Sequence, residues 1–211
     1  MKAKIYLYGE LHCVEKIMAK QLELWFDHYH SQNLRHLFLE HCYCTTEFLN
    51  IWMSADSDDI LEMLYEVTLA PDFPYIKDFF RTIKRDCPET VFCGVTPVYP
   101  PIGEKYLHYL KDNNLRCTNE YSNVQELLEK GKGLYSDYGG QWSDGYREQN
   151  MVDNFIRQFE KLNGKSVMGI YGCMHIKHEP IEYFGDVPCL GYQLKVRYGD
   201  AVHFEDLSEV I

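Results

Sequence analysis

The chain has 211 residues, of which 45% are hydrophobic and 25% charged, enough to bury a substantial core and ordinary for a soluble globular domain. Its formal net charge of −11 argues against nucleic acid and anionic membranes, because both require phosphate neutralisation by Lys and Arg, and no basic run offsets it. No segment approaches the roughly 18 uninterrupted apolar residues of a membrane span, and the hydrophobic stretch in "MKAKIYLYGE" is too short for a signal peptide.

In chain order, "KIYLYG" (4–9) is a short apolar run of the kind that forms a strand buried on both faces. From Val14 to Tyr29, the residues Val14, Ile17, Met18, Leu22, Trp25 and Tyr29 recur at helical spacing, with Lys16, Lys20, Glu23 and Asp27 on the opposite stripe. "HLFLE" (36–40) reads as the second strand. Residues 45–69 give one or two helices, broken at "SADSDD", where Ser and Asp can cap a second start. "YIKDFFRTIKRD" (75–86) is an amphipathic helix, "TVFCGV" (90–95) a third strand and "GEKYLHYLKDNN" (103–114) another helix. "NVQELLEKGKGLYS" (123–136) begins helical and frays at its glycines. "DYGGQWSDG" (137–145) holds three glycines, a candidate lid or an ordinary surface connection. A helix over 144–164 leads to the strand "SVMGIYG" (166–172). The tail "CLGYQLKVRYGDAVHFED" reads as an antiparallel hairpin turning at Tyr198-Gly199-Asp200. Strands alternating with helices predict an α/β fold with a mainly parallel central sheet, a C-terminal hairpin and one domain over 1–211.

Two of these strands end alike. Gly9-Glu10-Leu11-His12 and Gly172-Cys173-Met174-His175 are both G-x-x-H directly after an apolar run. In open α/β sheets, ligands bind outside the carboxyl ends of the strands, so parallel strands would bring His12 and His175 together there. A single strand-end histidine is more often a loop cap; the pair favours a site. The second strand ends in Glu40, which can orient a histidine, activate water or hold a metal, or can be a structural ion-pair partner.

The helix over 144–164 carries an apolar stripe of Met151, Val152, Phe155, Ile156, Phe159 and Leu162. Extended backwards at helical spacing, that stripe places Glu148 near its centre and Arg147 at its margin. Burying unpaired charge is costly, so these two residues either pair with other strand-end charges or meet a substrate, with Arg147 clamping its oxygen.

The ordered set GELH (9–12), LFLE (37–40), REQNM (147–151) and YGCMH (171–175) resembles the superfamily of erythromycin esterase-like proteins, which includes TraB-type proteins, Tiki metalloproteases and haem-binding ChaN-like proteins. The resemblance implies an α/β fold with a pocket at the carboxyl edge of the sheet, and hydrolytic chemistry on an ester or amide bond. It implies His12 as principal base or metal ligand, Glu40 as activating or orienting group, His175 and Glu10 as the rest of the cluster, and Arg147 as stabiliser of negative charge. A haem- or metal-binding role without catalysis, as in ChaN-like proteins, is the alternative. The chain is too compact for the large helical segment that forms a macrolide cleft in the esterases, so erythromycin is not its expected substrate.

His12, Glu40 and His175, with Glu10, suit Zn²⁺, Mn²⁺ or Co²⁺ with open positions for water, and the same residues also work without a metal. The eight cysteines are scattered without paired C-x-x-C spacing and, with no export signal, are expected to be reduced thiols in a cytoplasmic protein. Cys13, Cys42, Cys44 and Cys173 gather near strand ends, where a thiol nucleophile is conceivable but small buried apolar residues are commoner. His178 and Glu179 could join the cluster, but their place past the second turn favours solvent. The acidic surface and 17 tyrosines suit a neutral or cationic small-molecule or peptide substrate, with no nucleic-acid or membrane partner.

Overall fold

Five apolar runs form one sheet in the computed structural model, which describes residues 3–69, 73, 75–137, 144–180 and 185–210. The strands are β1 (Ile5–Glu10), β2 (His36–Cys42), β3 (Val91–Thr96), β4 (Val167–Gly172) and β5 (Val202–Asp206). Their order is β3-β2-β4-β1-β5, and every pairing is parallel. Alternation of side chains explains how the two faces are covered. Leu37 and Leu39 of β2 and Met168 and Ile170 of β4 enter one apolar cluster, whereas Phe38, Val167 and Tyr171 enter the other.

On the first face lie α1 (Glu15–Ser31), α2 (Tyr43–Met53), α3 (Asp59–Val67), α4 (Tyr75–Asp86), α5 (Pro100–Asp112) and α6 (Asn119–Asp137). On the second lie α7 (Asp144–Lys161) and α8 (Leu190–Tyr198). The connection leaving β1 therefore runs over one face towards β2, while that leaving β4 runs over the other towards β5. Their carboxyl ends face apart-going chains, which is where doubly wound sheets open a crevice.

The helix break at "SADSDD" is present, but Asp58 makes no side-chain cap. Its carboxylate instead accepts from Trp52 Nε1 at 2.9 Å and Arg81 Nε at 2.7 Å. The helix of 123–136 does not fray at its glycines: α6 runs through both of them, and Gly131 lies so close to the Val98 carbonyl that a Cβ there would stand 2.2 Å from its oxygen.

The C-terminal hairpin is overturned. Residues 190–198 form α8, with Leu190 and Leu194 buried at i, i+4 spacing, and β5 joins β1 in parallel rather than folding back on its predecessor. Gly199, at φ +59°, ends the helix. A glycine in the left-handed region serves a helix C-terminus as well as a hairpin turn, so Tyr198-Gly199-Asp200 signalled the bend but not its type. The glycine-rich stretch 137–145 falls largely on residues 138–143, outside the described residues. Among the described residues, no helix is long and apolar enough to cross a membrane. All eight cysteines are free thiols.

Candidate active site

The carboxyl ends of three adjacent strands, β2, β4 and β1, bring His12, Glu10, Glu40 and His175 together, and Arg147 near the start of α7 joins them. Glu10 is the last residue of β1, and two residues later His12 turns back so that its Nδ1 lies 2.7 Å from Glu10 Oε1. The other oxygen of Glu10 accepts from Gln21 Nε2 on α1. The His12 side chain is 56% exposed and its Nε2 stands 3.8 Å from Glu40 Oε2, beyond direct hydrogen-bond reach. The bond to Glu10 is the chief influence that raises the His12 pKa above the ordinary 6.5, while burial opposes it.

Glu40 sits in β2 with its side chain only 11% exposed. Its Oε2 accepts the Gly172 N–H at 2.7 Å, and its Oε1 accepts from Arg147 Nη2 and lies 3.3 Å from His175 Nε2. Burial alone would raise the Glu40 carboxyl, but His175, Arg147 and His12 together hold it well below the ordinary carboxylate range. Glu40 is therefore an anion at any physiological pH, too weak a base to take a proton from water.

His175 follows β4 in a short 3₁₀ turn, Cys173–Ile176. Its Nδ1 lies 2.5 Å from Oε2 of Glu148, a fully buried carboxylate whose Oε1 also accepts the Leu190 N–H, at 2.5 Å, where α8 begins. Burial works against charge on His175, but hydrogen bonds to Glu148 and Glu40 outweigh it and push the pKa up to about 9. As an imidazolium it donates to both carboxylates, and Arg147 Nη1, 3.2 Å from its Nε2, is a neighbouring like charge that Glu40 holds in place.

The glycines of the two G-x-x-H motifs permit this convergence. A Cβ on Gly172 would stand 3.1 Å from His12 Nε2 and 3.4 Å from Glu40 Oε2. One on Gly9 would meet Ile176 Cγ1 at 2.8 Å and Cys173 Cα at 3.0 Å, in the turn that carries His175.

Two cavities meet at the cluster. A polar cleft of about 810 Å³ is bordered by Glu40, Arg147, Thr45, Thr96, Tyr99 and Asp144. A more apolar pocket of about 210 Å³ is bordered by Glu10, His12 and side chains of α1, β2, α4 and β4. His41 and Thr68 border both. Burial is the main reason the His41 pKa lies below the ordinary histidine value, so it is a neutral neighbour of the cluster.

All five expected site residues thus share one network. Three participants were missed as site residues. Glu148 was visible as a charge at the centre of the α7 stripe, and the imidazole of His175 is what pairs it. Gln21 was visible as a polar residue four positions from Ile17 and from Trp25 on the buried face of α1. His41 had no signal beyond adjacency to Glu40. His178 and Glu179 are exposed, as expected. Burial raises the Cys13 thiol pKa, which disfavours a thiolate nucleophile there.

Among the described residues, no group of three or more His, Cys, Asp or Glu is arranged to hold a metal ion. The reason is visible in the set expected for Zn²⁺, Mn²⁺ or Co²⁺, namely His12, Glu40 and His175. Glu40 spends both oxygens on Arg147, His175 and the Gly172 N–H, and the Arg147 guanidinium stands where a cation would meet repulsion.

No protein-family model and no curated protein sequence matches the chain. Solved structures do. An erythromycin esterase, EreC, crystallised as a histidine-to-asparagine mutant in its open conformation, superposes with a TM-score of 0.67 at 10% identity, covering 97% of this chain and 69% of that one. A succinoglycan biosynthesis protein gives 0.66 at 15% identity, covering 96% of this chain and 65% of that one. A Bacillus cereus protein gives 0.66 at 12% identity, covering 98% and 66%. The chain spans about two thirds of the length of these neighbours, and it has the erythromycin esterase-like α/β fold.

Proposed function

We propose that this chain is a hydrolase that cleaves an ester of a small molecule by activating water with His12, without a metal. The observation that carries the reading is the setting of His12. One ring nitrogen is fixed by Glu10 at 2.7 Å, and the other stands 3.8 Å from an anionic carboxylate that borders the polar cleft, while His12 itself borders the apolar pocket. A water held between His12 Nε2 and Glu40 Oε2 would be oriented by the carboxylate and deprotonated by the imidazole as it attacks the ester carbonyl. Arg147, which borders the larger cleft, would stabilise the oxyanion, and the His175 imidazolium would add positive charge behind it. His12 would then return the proton to the departing alkoxide, so that one ester and one water give one acid and one alcohol.

Glu40 serves here as the anion that fixes Arg147 and His175. The likeness to EreC, an erythromycin esterase, supports ester hydrolysis as the reaction class, although the shorter chain does not point to the same substrate. Free thiols throughout fit a reducing, intracellular setting. The test is turnover of an ester and lactone panel by the wild-type protein and His12→Ala. A loss of about 10²–10⁴-fold in kcat is expected in the variant. Near-normal turnover in His12→Ala would overturn the assignment of His12.

A further inference from the structure

The apolar pocket beside His12 has a composition unlike that of the polar cleft on the other side of the cluster. Its wall is formed by Met18 of α1, Leu39 of β2, Ile76, Phe79 and Phe80 of α4, and Ile170 of β4. These six side chains belong to or pack on the apolar cluster of the first face, so the pocket is an unfilled part of that core with Glu10 and His12 at its rim. Protein interiors are close-packed, and unfilled space among Leu, Ile and Phe side chains is destabilising. A pocket of about 210 Å³ that opens on a buried, charged cluster is thus maintained against its own tendency to close.

Its size and lining select the occupant. An engineered cavity of roughly 150 Å³ lined by Leu, Ile and Phe binds benzene, so this pocket holds a phenyl ring or a branched or straight group of about six carbons. The cleft of about 810 Å³, with Arg147, Asp144, Thr45 and Glu40 on its border, suits a polar group in contact with water. We propose that the apolar pocket receives the acyl portion of the substrate, about six carbons or a phenyl ring, and that the polar alcohol portion lies in and leaves through the larger cleft. This assignment rests on the hydrolase reading for its chemistry but not for its binding, because the pocket would take the same group from a carboxylic acid.

Two measurements separate the pocket from the reaction. The first is kcat/KM, read by proton release, for the glycerol monoesters of acetate, butyrate, hexanoate and dodecanoate, whose alcohol portion is polar. A maximum near hexanoate, at least tenfold above acetate, is expected. Met18→Phe, which fills the pocket, should lower the hexanoate-to-acetate ratio at least tenfold, and Met18→Ala should move the maximum to longer chains. The second is calorimetric binding of hexanoate and acetate as free acids. Hexanoate should bind at least tenfold more tightly, with the preference lost in Met18→Phe. If no ester is turned over but this binding preference is found and Met18→Phe removes it, the pocket assignment stands and the hydrolase reading falls. If esters are cleaved with no dependence on chain length, or if both Met18 variants keep the wild-type preference, the pocket assignment falls and the hydrolase reading stands. Absence of both turnover and the binding preference removes both.

Discussion

The Nδ1 of His12 and the Oε1 of Glu10 lie 2.7 Å apart across two residues at the end of β1, and this bond leaves Nε2 as the ring's reactive edge. It is also the largest contribution to the raised pKa of His12. A base must be unprotonated, so kcat/KM should rise with pH through a value above the ordinary 6.5. In Glu10→Gln the leading cause of that rise is removed, and the rising limb should move to lower pH while kcat falls about 10²-fold as the ring loses its orientation. A pH–rate profile reads both. A limb that stays in place would show that Glu10 does not govern the proton on His12.

Arg147 donates from Nη2 to Glu40, and the same planar group places Nη1 3.2 Å from His175 Nε2, at the border of the polar cleft. Lysine carries the same charge as a single point and cannot keep one donor on Glu40 while presenting another to the cleft. Arg147→Lys should therefore reduce kcat by about 10²–10³-fold while changing KM by much less, because the charge it stabilises develops in the transition state. A variant that raises KM alone would assign Arg147 to ground-state binding instead.

The guanidinium bonded to Glu40 opposes a cation at the same carboxylate, and on the metal-free reading proposed above two measurements follow. Turnover should be unchanged after dialysis against a chelator, and elemental analysis of the purified protein should find well under one Zn, Mn or Co per chain. Stoichiometric metal, or activity lost on chelation and restored by Zn²⁺, would return His12, Glu40 and His175 to the role of ligands.

The pair of Glu148 and His175 makes a pH-dependent contribution to stability. His175 has its pKa pushed up to about 9 from 6.5, so the stabilisation is fully present below 6.5 and is lost as pH rises through about 9. The full effect is up to about 3 kcal/mol. Glu148→Gln removes the first of the two bonds that raise this pKa, so the alkaline decline should flatten, and stability near pH 6 should fall by about 3–5 kcal/mol, as when one partner of a buried pair is deleted. Urea unfolding below pH 6.5 and above pH 9 measures both. An unchanged alkaline slope in the variant would refute the pairing.

What the sequence disclosed about this cluster depended on whether a local pattern carried it. The G-x-x-H echo gave away His12 and His175 because both lie within three residues of a strand end, and parallel topology does the rest. Arg147 and Glu148 were legible because helical periodicity puts them at the edge and the middle of an apolar stripe. Gln21 showed only as a polar residue on the buried face of α1 and His41 only as the neighbour of Glu40, since the partner of Gln21 is set by how α1 meets the end of β1 and the place of His41 by the two cavities it borders. The apolar pocket was invisible for a stronger reason: it is bounded by five separate elements, and no single segment encodes a space between them. The C-terminal tail misled because one Gly-containing bend suits two different structures. The helical spacing of Leu190 and Leu194 was the weaker signal, and it was the correct one.

Gly9 and Gly172 occupy matching places in the two motifs, yet the structure separates their duties. A methyl on Gly9 meets the Cys173 backbone and the Ile176 side chain, both part of the 3₁₀ turn that carries His175. Backbone cannot yield cheaply, so Gly9→Ala should destabilise the fold by about 1–3 kcal/mol, as overpacking does. A methyl on Gly172 meets instead the imidazole of His12 at 3.1 Å and the carboxylate of Glu40 at 3.4 Å. His12 is half-exposed and can swing away, so Gly172→Ala should leave thermal stability nearly unchanged. Moving the ring also shifts its Nε2 relative to Glu40 Oε2, and because the contact asks for a shift well short of 1 Å, turnover should fall by less than the roughly 10²-fold that a misplacement of about 1 Å costs. Melting curves and kcat for the two variants therefore diverge: Gly9→Ala loses stability first, and Gly172→Ala loses turnover while staying folded. Equal melting losses in both, with turnover in Gly172→Ala intact, would mean that His12 does not need the space Gly172 leaves for it.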